Sequence, residues 1–384
     1  MEYISIKNLG PIADVELEDI KPLTVLIGES GSGKSTILKT LAMFQWIFKM
    51  MNIRSYLALA GVKSPFRFSW DTLVRNAGFE KYLKEDTEIV YLNGKCEISY
   101  RGGKLNTGYR LSEEELSLEK IAFVSDKRSL IPDIMAVRIP KKVDSFYLNE
   151  TLEDFRKATR VIKQHDMPFL GISLSLEKTA NGERFFIKGT DEEFKVNFED
   201  SSSGMQNVSP LSVIVEHFCK NYDVVTATNQ IVLRYLTESD DLKNFSASRN
   251  IGEIERRNIH IHIEEPELSL YPESQKDLVS TLIDRCFSVS DRKISLMMAT
   301  HSPYIANYLN LLTARAQHDV KQRSRIDFDK VDVYEIADGY AISLKIAGQD
   351  NVFDTRVMSE PISTTYHEYN QIKRHQSDGQ PAEK

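Results

Sequence analysis

Leu23-Thr24-Val25-Leu26-Ile27 runs directly into Gly28-Glu29-Ser30-Gly31-Ser32-Gly33-Lys34-Ser35, and this stretch decides the fold. The short apolar run reads as a buried strand. The G-x-x-x-x-G-K-S that follows reads as a phosphate-binding turn, and Ser35-Thr36-Ile37-Leu38-Lys39-Thr40-Leu41 opens a helix. Gly28, Gly31 and Gly33 let the backbone curl so that N–H groups converge on one point, and the helix N-terminus adds partial positive charge there. The stretch from Gly28 through Glu29, Ser30, Ser32 and Thr36 is therefore expected to cradle a phosphate chain. Lys34 would reach its β- and γ-phosphates, and the Ser35 hydroxyl would hold Mg²⁺.

Composition sets the frame around this turn. A chain of 384 residues with 41% apolar and 27% charged residues has the make-up of a globular protein of one large domain or two. A formal net charge of −7 argues against coating nucleic acid through bulk positive charge, while leaving room for a local basic surface. No apolar run reaches the ~18 residues needed to span a bilayer; Leu41 to Met51 is broken by Gln45 and Lys49. The opening Met1-Glu2-Tyr3-Ile4-Ser5-Ile6 lacks the features of a secretory signal. Cys96, Cys219 and Cys286 suggest neither a disulfide framework nor a C-x-x-C metal pair. A cytoplasmic protein without membrane contact is expected.

Outward from the turn, the pattern alternates strands and helices. Tyr3–Ile6 and Val15–Leu17 read as a hairpin around Asn8-Leu9-Gly10-Pro11, and the helix after the turn should run to about Met51. Ile121–Val124 reads as a buried strand ending in Ser125-Asp126-Lys127-Arg128, a place for polar groups beside a ligand. A helix is expected over 147–165, with basic positions Arg156, Lys157, Arg160 and Lys163. Three strands should follow at 171–176, 184–187 and 194–198, with Asn181-Gly182 as a hairpin turn. Residues 211–258 read as helical with a polar middle, Ile259–Ile263 and Ile294–Ala299 as strands flanking a helix over 275–287. Val331–Ile336 and Ala341–Ile346 should pair around Asp338-Gly339. Trp46 and Trp70 are expected in the core.

Three later segments narrow the chemistry. Ile259-His260-Ile261-His262-Ile263-Glu264-Glu265-Pro266 is a strand ending in two acids. Glu264 at the strand tip would meet Mg²⁺, and Glu265 would polarise an attacking water. Ala299-Thr300-His301-Ser302-Pro303 closes the next strand, so His301 would face the γ-phosphate. Ser201-Ser202-Ser203-Gly204-Met205-Gln206 precedes an apolar helix and by itself is a plain Ser/Gly loop. His260 and His262 share one strand face without a third ligand, which favours polar packing over a metal site.

In this order, Gly28 to Ser35, Ser203-Gly204-Met205-Gln206, Glu264-Glu265-Pro266-Glu267-Leu268 and His301-Ser302-Pro303 resemble the ABC-type ATPase heads of the SMC, RecF and overcoming-lysogenization-defect groups. The opening Ile4-Ser5-Ile6-Lys7-Asn8-Leu9-Gly10-Pro11-Ile12 is similar to their first hairpin. The resemblance implies an α/β P-loop NTPase of ABC-ATPase type, with a mixed sheet, N-terminal antiparallel hairpins and an inserted helical/β arm. It implies one head over 1–365, with insertions at about 52–120 and 220–258, an arm at about 140–200, and a disordered tail over 366–384. ATP and Mg²⁺ would be the cofactors. Lys34, Glu265 and His301 would be catalytic, and Ser35 and Glu264 would hold the metal. Ser203, Gly204 and Gln206 would cap the γ-phosphate of ATP bound by a second copy, and Glu267–Pro272 would cross that interface.

The chain departs from the family pattern at several points. Ser30 stands where Asn is usual, Met205 replaces a glycine, and Gln45 and Gln164 are only candidates for the usual glutamine after the third core strand. Heads of this kind without a long coiled coil or nuclease domain are similar to ATPase subunits of bacterial anti-phage systems such as Septu, PARIS and certain retrons. The expected partners are then a second copy and a separately encoded effector such as a nuclease; nucleic acid is the partner in the rival RecF-like reading, and a transporter's energy subunit ranks third.

Overall fold

The stretch Leu23–Ile27 is buried at every residue, as a strand covered on both faces must be. The computed structural model describes residues 1–63, 67–137, 145–180, 182–191, 193–239, 241–247, 249–320, 323–346, 348 and 351–378. In chain order the strands are β1 (Glu2–Leu9), β2 (Ile12–Leu17), β3 (Leu23–Ile27), β4 (Leu83–Asn93), β5 (Cys96–Arg101), β6 (Lys104–Asn106), β7 (Leu118–Val124), β8 (Gln164–Met167), β9 (Ile172–Thr179), β10 (Gly182–Gly189), β11 (Lys195–Asn197), β12 (Arg257–Glu264), β13 (Lys293–Thr300), β14 (Val331–Ala337), β15 (Tyr340–Ser343), β16 (Lys345–Ile346) and β17 (Val352–Phe353). The α-helices are α1 (Lys34–Leu59), α2 (Trp70–Ala77), α3 (Ile131–Met135), α4 (Phe146–Val161), α5 (Ser203–Glu216), α6 (Val224–Glu238), α7 (Pro272–Phe287), α8 (Pro303–Gln317) and α9 (Arg356–Asp378).

Eleven strands form one mixed sheet in the order β6-β5-β4-β1-β2-β15-β14-β3-β13-β12-β7. Its working half, β14-β3-β13-β12-β7, is parallel throughout. The other half is mostly antiparallel, built from the β1–β2 hairpin and the β4–β5–β6 meander. Leu23, Val25, Ile27, Ile259, Ile261 and Ile263 face one core, which α4, α5, α7 and α8 cover. Leu26, Phe123, Met297 and Ala299 face the other, which α1, α2 and α6 cover. Alternation along each strand thus feeds two helical layers from one sheet.

Several elements differ from their sequence reading for identifiable reasons. Helix α1 continues past Met51 to Leu59 because its polar residues have partners elsewhere. Asn52 Oδ1 accepts from the Ser117 N–H at 2.7 Å, and Ser55 Oγ from the Leu111 N–H at 3.1 Å. The helix expected over 147–165 stops at Val161, where Ile162 turns extended and the chain enters β8. Residues 203–238 are helical in two pieces joined by a π-turn at His217–Asn221, and 241–250 are not helical among the described residues. The meander at 83–106 extends the main sheet rather than standing apart from it.

A second, four-stranded antiparallel sheet, β11-β10-β9-β8, packs beneath α4 through Phe155, Phe185 and Phe198. Asn181, half of the expected turn there, lies outside the described residues, as does the end of the tail after 378. Helix α9 runs through most of the stretch that reads as disordered by composition. Trp46 is 40% exposed rather than in the core, its ring edge-on to Phe68, while half-buried Trp70 stacks on Tyr100 at 4.0 Å. Among the described residues no helix is long and apolar enough to cross a membrane.

Candidate nucleotide site

The turn after β3 has the left-handed backbone its glycines permit: Gly28, Gly31 and Gly33 sit at φ +153°, +83° and +110°. Space is also short at two of them. A Cβ on Gly28 would lie 2.4 Å from the Ile336 carbonyl oxygen of β14, and one on Gly33 2.4 Å from Ile12 Cδ1 of β2. Gly33 caps α1 without a side chain, so the first N–H groups of the helix remain directed into the turn. Lys34 is buried, and its Nζ donates to the carbonyls of Gly28 (2.9 Å) and Glu29 (2.7 Å). Burial lowers its pKa to about 8, against the pull of Glu265 and Glu267.

Strand order places the remaining groups. β13 lies between β3 and β12, so its C-terminal end falls between the phosphate turn and the paired acids. His301 follows that end. Its Nδ1 lies 3.4 Å from Lys34 Nζ and its Nε2 3.5 Å from Glu265 Oε1. One imidazole therefore joins the lysine of the turn to the second acid. Glu267, read in the sequence only as the start of the segment crossing to a second copy, accepts the His301 N–H at 2.7 Å and fixes where that ring starts.

Glu264 is buried at the tip of β12 and pairs with Lys39 Nζ at 2.9 Å. Burial pushes its carboxyl pKa up, while Lys39 and a hydrogen bond from Ser35 pull the other way. Its Oε2 has no partner among the described protein hydrogen bonds. An exposed Ser35 hydroxyl beside a buried carboxylate with an uncommitted oxygen fits a divalent cation. Lys39 was not legible as a site residue: a lysine in the second turn of a helix normally faces solvent.

Glu265 occupies φ +45° just before Pro266, a backbone that non-glycine residues adopt at a cost of about 1–3 kcal/mol. Three bonds hold it: its N–H to the Ala299 carbonyl (2.8 Å), the Leu268 N–H to its carbonyl (3.1 Å), and Arg128 Nη2 to that same carbonyl (2.6 Å). Arg128 is fully buried, and burial lowers its pKa to about 10. The segment 125–128 reads as polar and ligand-facing, but Arg128 turns inward.

Ser203 and Gly204 begin α5, whose cap is Ser202. They lie against the loop after Glu265, where a Cβ on Gly204 would approach the Ser269 carbonyl oxygen to 3.0 Å. Gln206 Nε2 donates to the carbonyls of Glu199 and Ser201, within its own loop. Gln45 is committed to the buried histidines, with its Oε1 2.7 Å from His262 Nε2, and exposed Gln164 lies on β8 in the second sheet. His260 Nε2 pairs with Glu119 at 2.9 Å, so both histidines pack as polar core groups.

Residues 124–306 match the family model described as an AAA ATPase domain. That stretch includes Arg128, the Ser203 loop, both acids and His301, and begins after the phosphate turn. No curated protein matches the chain. Among solved structures it is similar to the SMC head bound to the C-winged helix domain of ScpA, at 12% identity, with 90% of this chain and 97% of that chain covered and a TM-score of 0.37. It is similar to the recombination mediator protein RecF at 10% identity, with 89% and 97% covered and a TM-score of 0.36. The SMC head domain from Thermotoga maritima follows at 11% identity, with 90% and 98% covered and a TM-score of 0.33.

Proposed function

We propose that this chain binds ATP with Mg²⁺, closes on a second copy around the nucleotide, and hydrolyses it to reopen. The bridging position of His301 between Lys34 and Glu265 carries this reading, because it unites the phosphate turn and a candidate general base in one cluster. Lys34 exchanges its own loop's carbonyls for β- and γ-phosphate oxygens. Ser35 and Glu264 would hold Mg²⁺, which neutralises charge on the phosphates, and Lys39 must then release Glu264. Glu265 accepts the proton of the attacking water, and His301 orients that water and the γ-phosphate. Ser203 and Gly204, exposed or half-buried at the start of α5, present a helix N-terminus to the phosphate held by the partner copy. Hydrolysis removes the shared phosphate contact and lets the copies part.

The test is Glu265→Gln with ATP, read by light scattering: a stable dimer should accumulate, with turnover down about 10²–10⁴-fold. Parent-like turnover would remove Glu265 from the mechanism. On the family resemblance, the clamp restrains a separately encoded effector, a nuclease or toxin of an anti-phage system, in the cytoplasm. Co-purification of such an effector with the Glu265→Gln dimer tests this. One feature bears on the RecF-like alternative: Arg156, Arg160, Lys163 and Arg184, together with Glu183 and Glu199, line a cavity of about 420 Å³ between α4 and the second sheet. DNA-stimulated turnover with a steep salt dependence would select that reading.

A further inference from the structure

Arg128 is a buried cation whose hydrogen-bond acceptors among the described residues are all main-chain carbonyls. Nε donates to Asn207 (3.1 Å), Nη1 to Ser125 (3.1 Å) and Glu264 (2.7 Å), and Nη2 to Glu265 (2.6 Å). Its rigid fork ties together the end of β7, the end of β12 and the first turns of α5. Burying a guanidinium without a bonded carboxylate is costly, and neutral donors could satisfy isolated carbonyls at less expense. What a fork alone does is hold several segments in fixed relation.

The chain of contacts extends to both ends of the proposed site. Asn207, whose carbonyl Arg128 holds, donates from Nδ2 to the Ser203 carbonyl (2.8 Å) and to Ser269 Oγ (3.4 Å). Its buried Oδ1 has no partner among the described residues. Glu265, at the other end, keeps its left-handed backbone under the grip of Arg128. In the proposed sandwich Ser203 acts on the partner copy's nucleotide and Glu265 on its own.

We infer that Arg128 is a positioning residue that couples the two nucleotide sites of the dimer through one subunit. When Ser203 and Gly204 close on the partner's γ-phosphate, α5 shifts, Asn207 moves with it, and the Arg128 fork brings the Glu265 main chain into its working position. Engagement at one site thereby readies the base at the other. This rests on the sandwich proposed above.

The experiment is a double-mutant cycle on the full chain with Arg128→Lys, Glu265→Gln and the double variant, measuring turnover, ATP affinity and thermal midpoint. Arg128→Lys keeps the charge and loses the fork. Its kcat should fall about 10–100-fold with KM within about two-fold, and the double variant should be no slower than Glu265→Gln alone. Parent-like turnover in Arg128→Lys, or a double loss equal to the product of the single losses, overturns the coupling. If Arg128→Lys does not fold, hydrogen exchange decides. ATP should slow exchange at 264–265, which lie outside the interface segment, more in the Glu265→Gln dimer than in a Ser203→Arg monomer that still binds ATP; equal slowing in both overturns it. Failure of Glu265→Gln to dimerise with ATP would instead remove the sandwich itself.

Discussion

Lys39→Met isolates the charge of Glu264. The native pair is 2.9 Å apart, with the Glu264 side chain 3% and the Lys39 side chain 25% exposed. Breaking a fully buried pair costs about 3–5 kcal/mol; partial solvation of Lys39 reduces this to about 2–3 kcal/mol. For a chain of 384 residues that is a fall of about 2–4 °C in the thermal midpoint. Removing Lys39 also pushes the already raised Glu264 pKa further up. Protonation then relieves the unpaired charge, so the deficit should be smaller at pH 5 than at pH 8. In the mechanism proposed above, Mg²⁺ with a non-hydrolysable ATP analogue takes Lys39 off Glu264 in the parent. The ligand-induced rise in midpoint should therefore be larger in the variant, by roughly the same 2–4 °C. Calorimetry with and without ligand at both pH values reads all of this. Equal ligand-induced shifts in parent and variant would refute competition between Lys39 and the cation for Glu264.

Three further outcomes follow from other parts of the molecule. Gly28→Ala must displace β14 from its 2.4 Å approach, whereas Gly31→Ala meets open space and bears only backbone strain. ATP affinity by titration calorimetry should accordingly fall at least about tenfold more for Gly28→Ala than for Gly31→Ala. His262 is held neutral by burial, its pKa lowered to about 3 from 6.5. The unfolded chain then takes up the proton first as pH falls below 6.5, so between pH 7 and pH 5 denaturant titrations should show the parent losing about 2 kcal/mol more stability than His262→Gln. Phe155→Ala opens a cavity where Phe155 meets Phe185 and Phe198, and should cost about 3–5 kcal/mol in denaturant melts.

The parts legible in sequence were those fixed by neighbours along the chain. The phosphate turn, its flanking strand and helix, the acid pair on β12 and the strand end before His301 all follow from local pattern. What escaped is non-local. Nothing in the spacing of Asn52 and Ser55 says that Ser117 and Leu111 will receive their side chains, so α1 read as ending early. A lysine in the second turn of α1 looks like a surface charge, and an arginine after β7 like a group facing a ligand, until the fold brings Glu264 and Glu265 to them. The meander at 83–106 read as an insertion because its pairing with β1 cannot be seen from either segment alone.

The placement of β3 bears on how the chain is made. Thr24 pairs with Met297 on one side and Asp332 on the other, and the Ile336 carbonyl presses against Gly28. Both walls of the nucleotide pocket are thus synthesised long after its floor. A ribosome-bound chain therefore lacks the strand pairing that flanks the phosphate turn until β14 has left the exit tunnel, and the turn gains its neighbours only when synthesis is nearly complete.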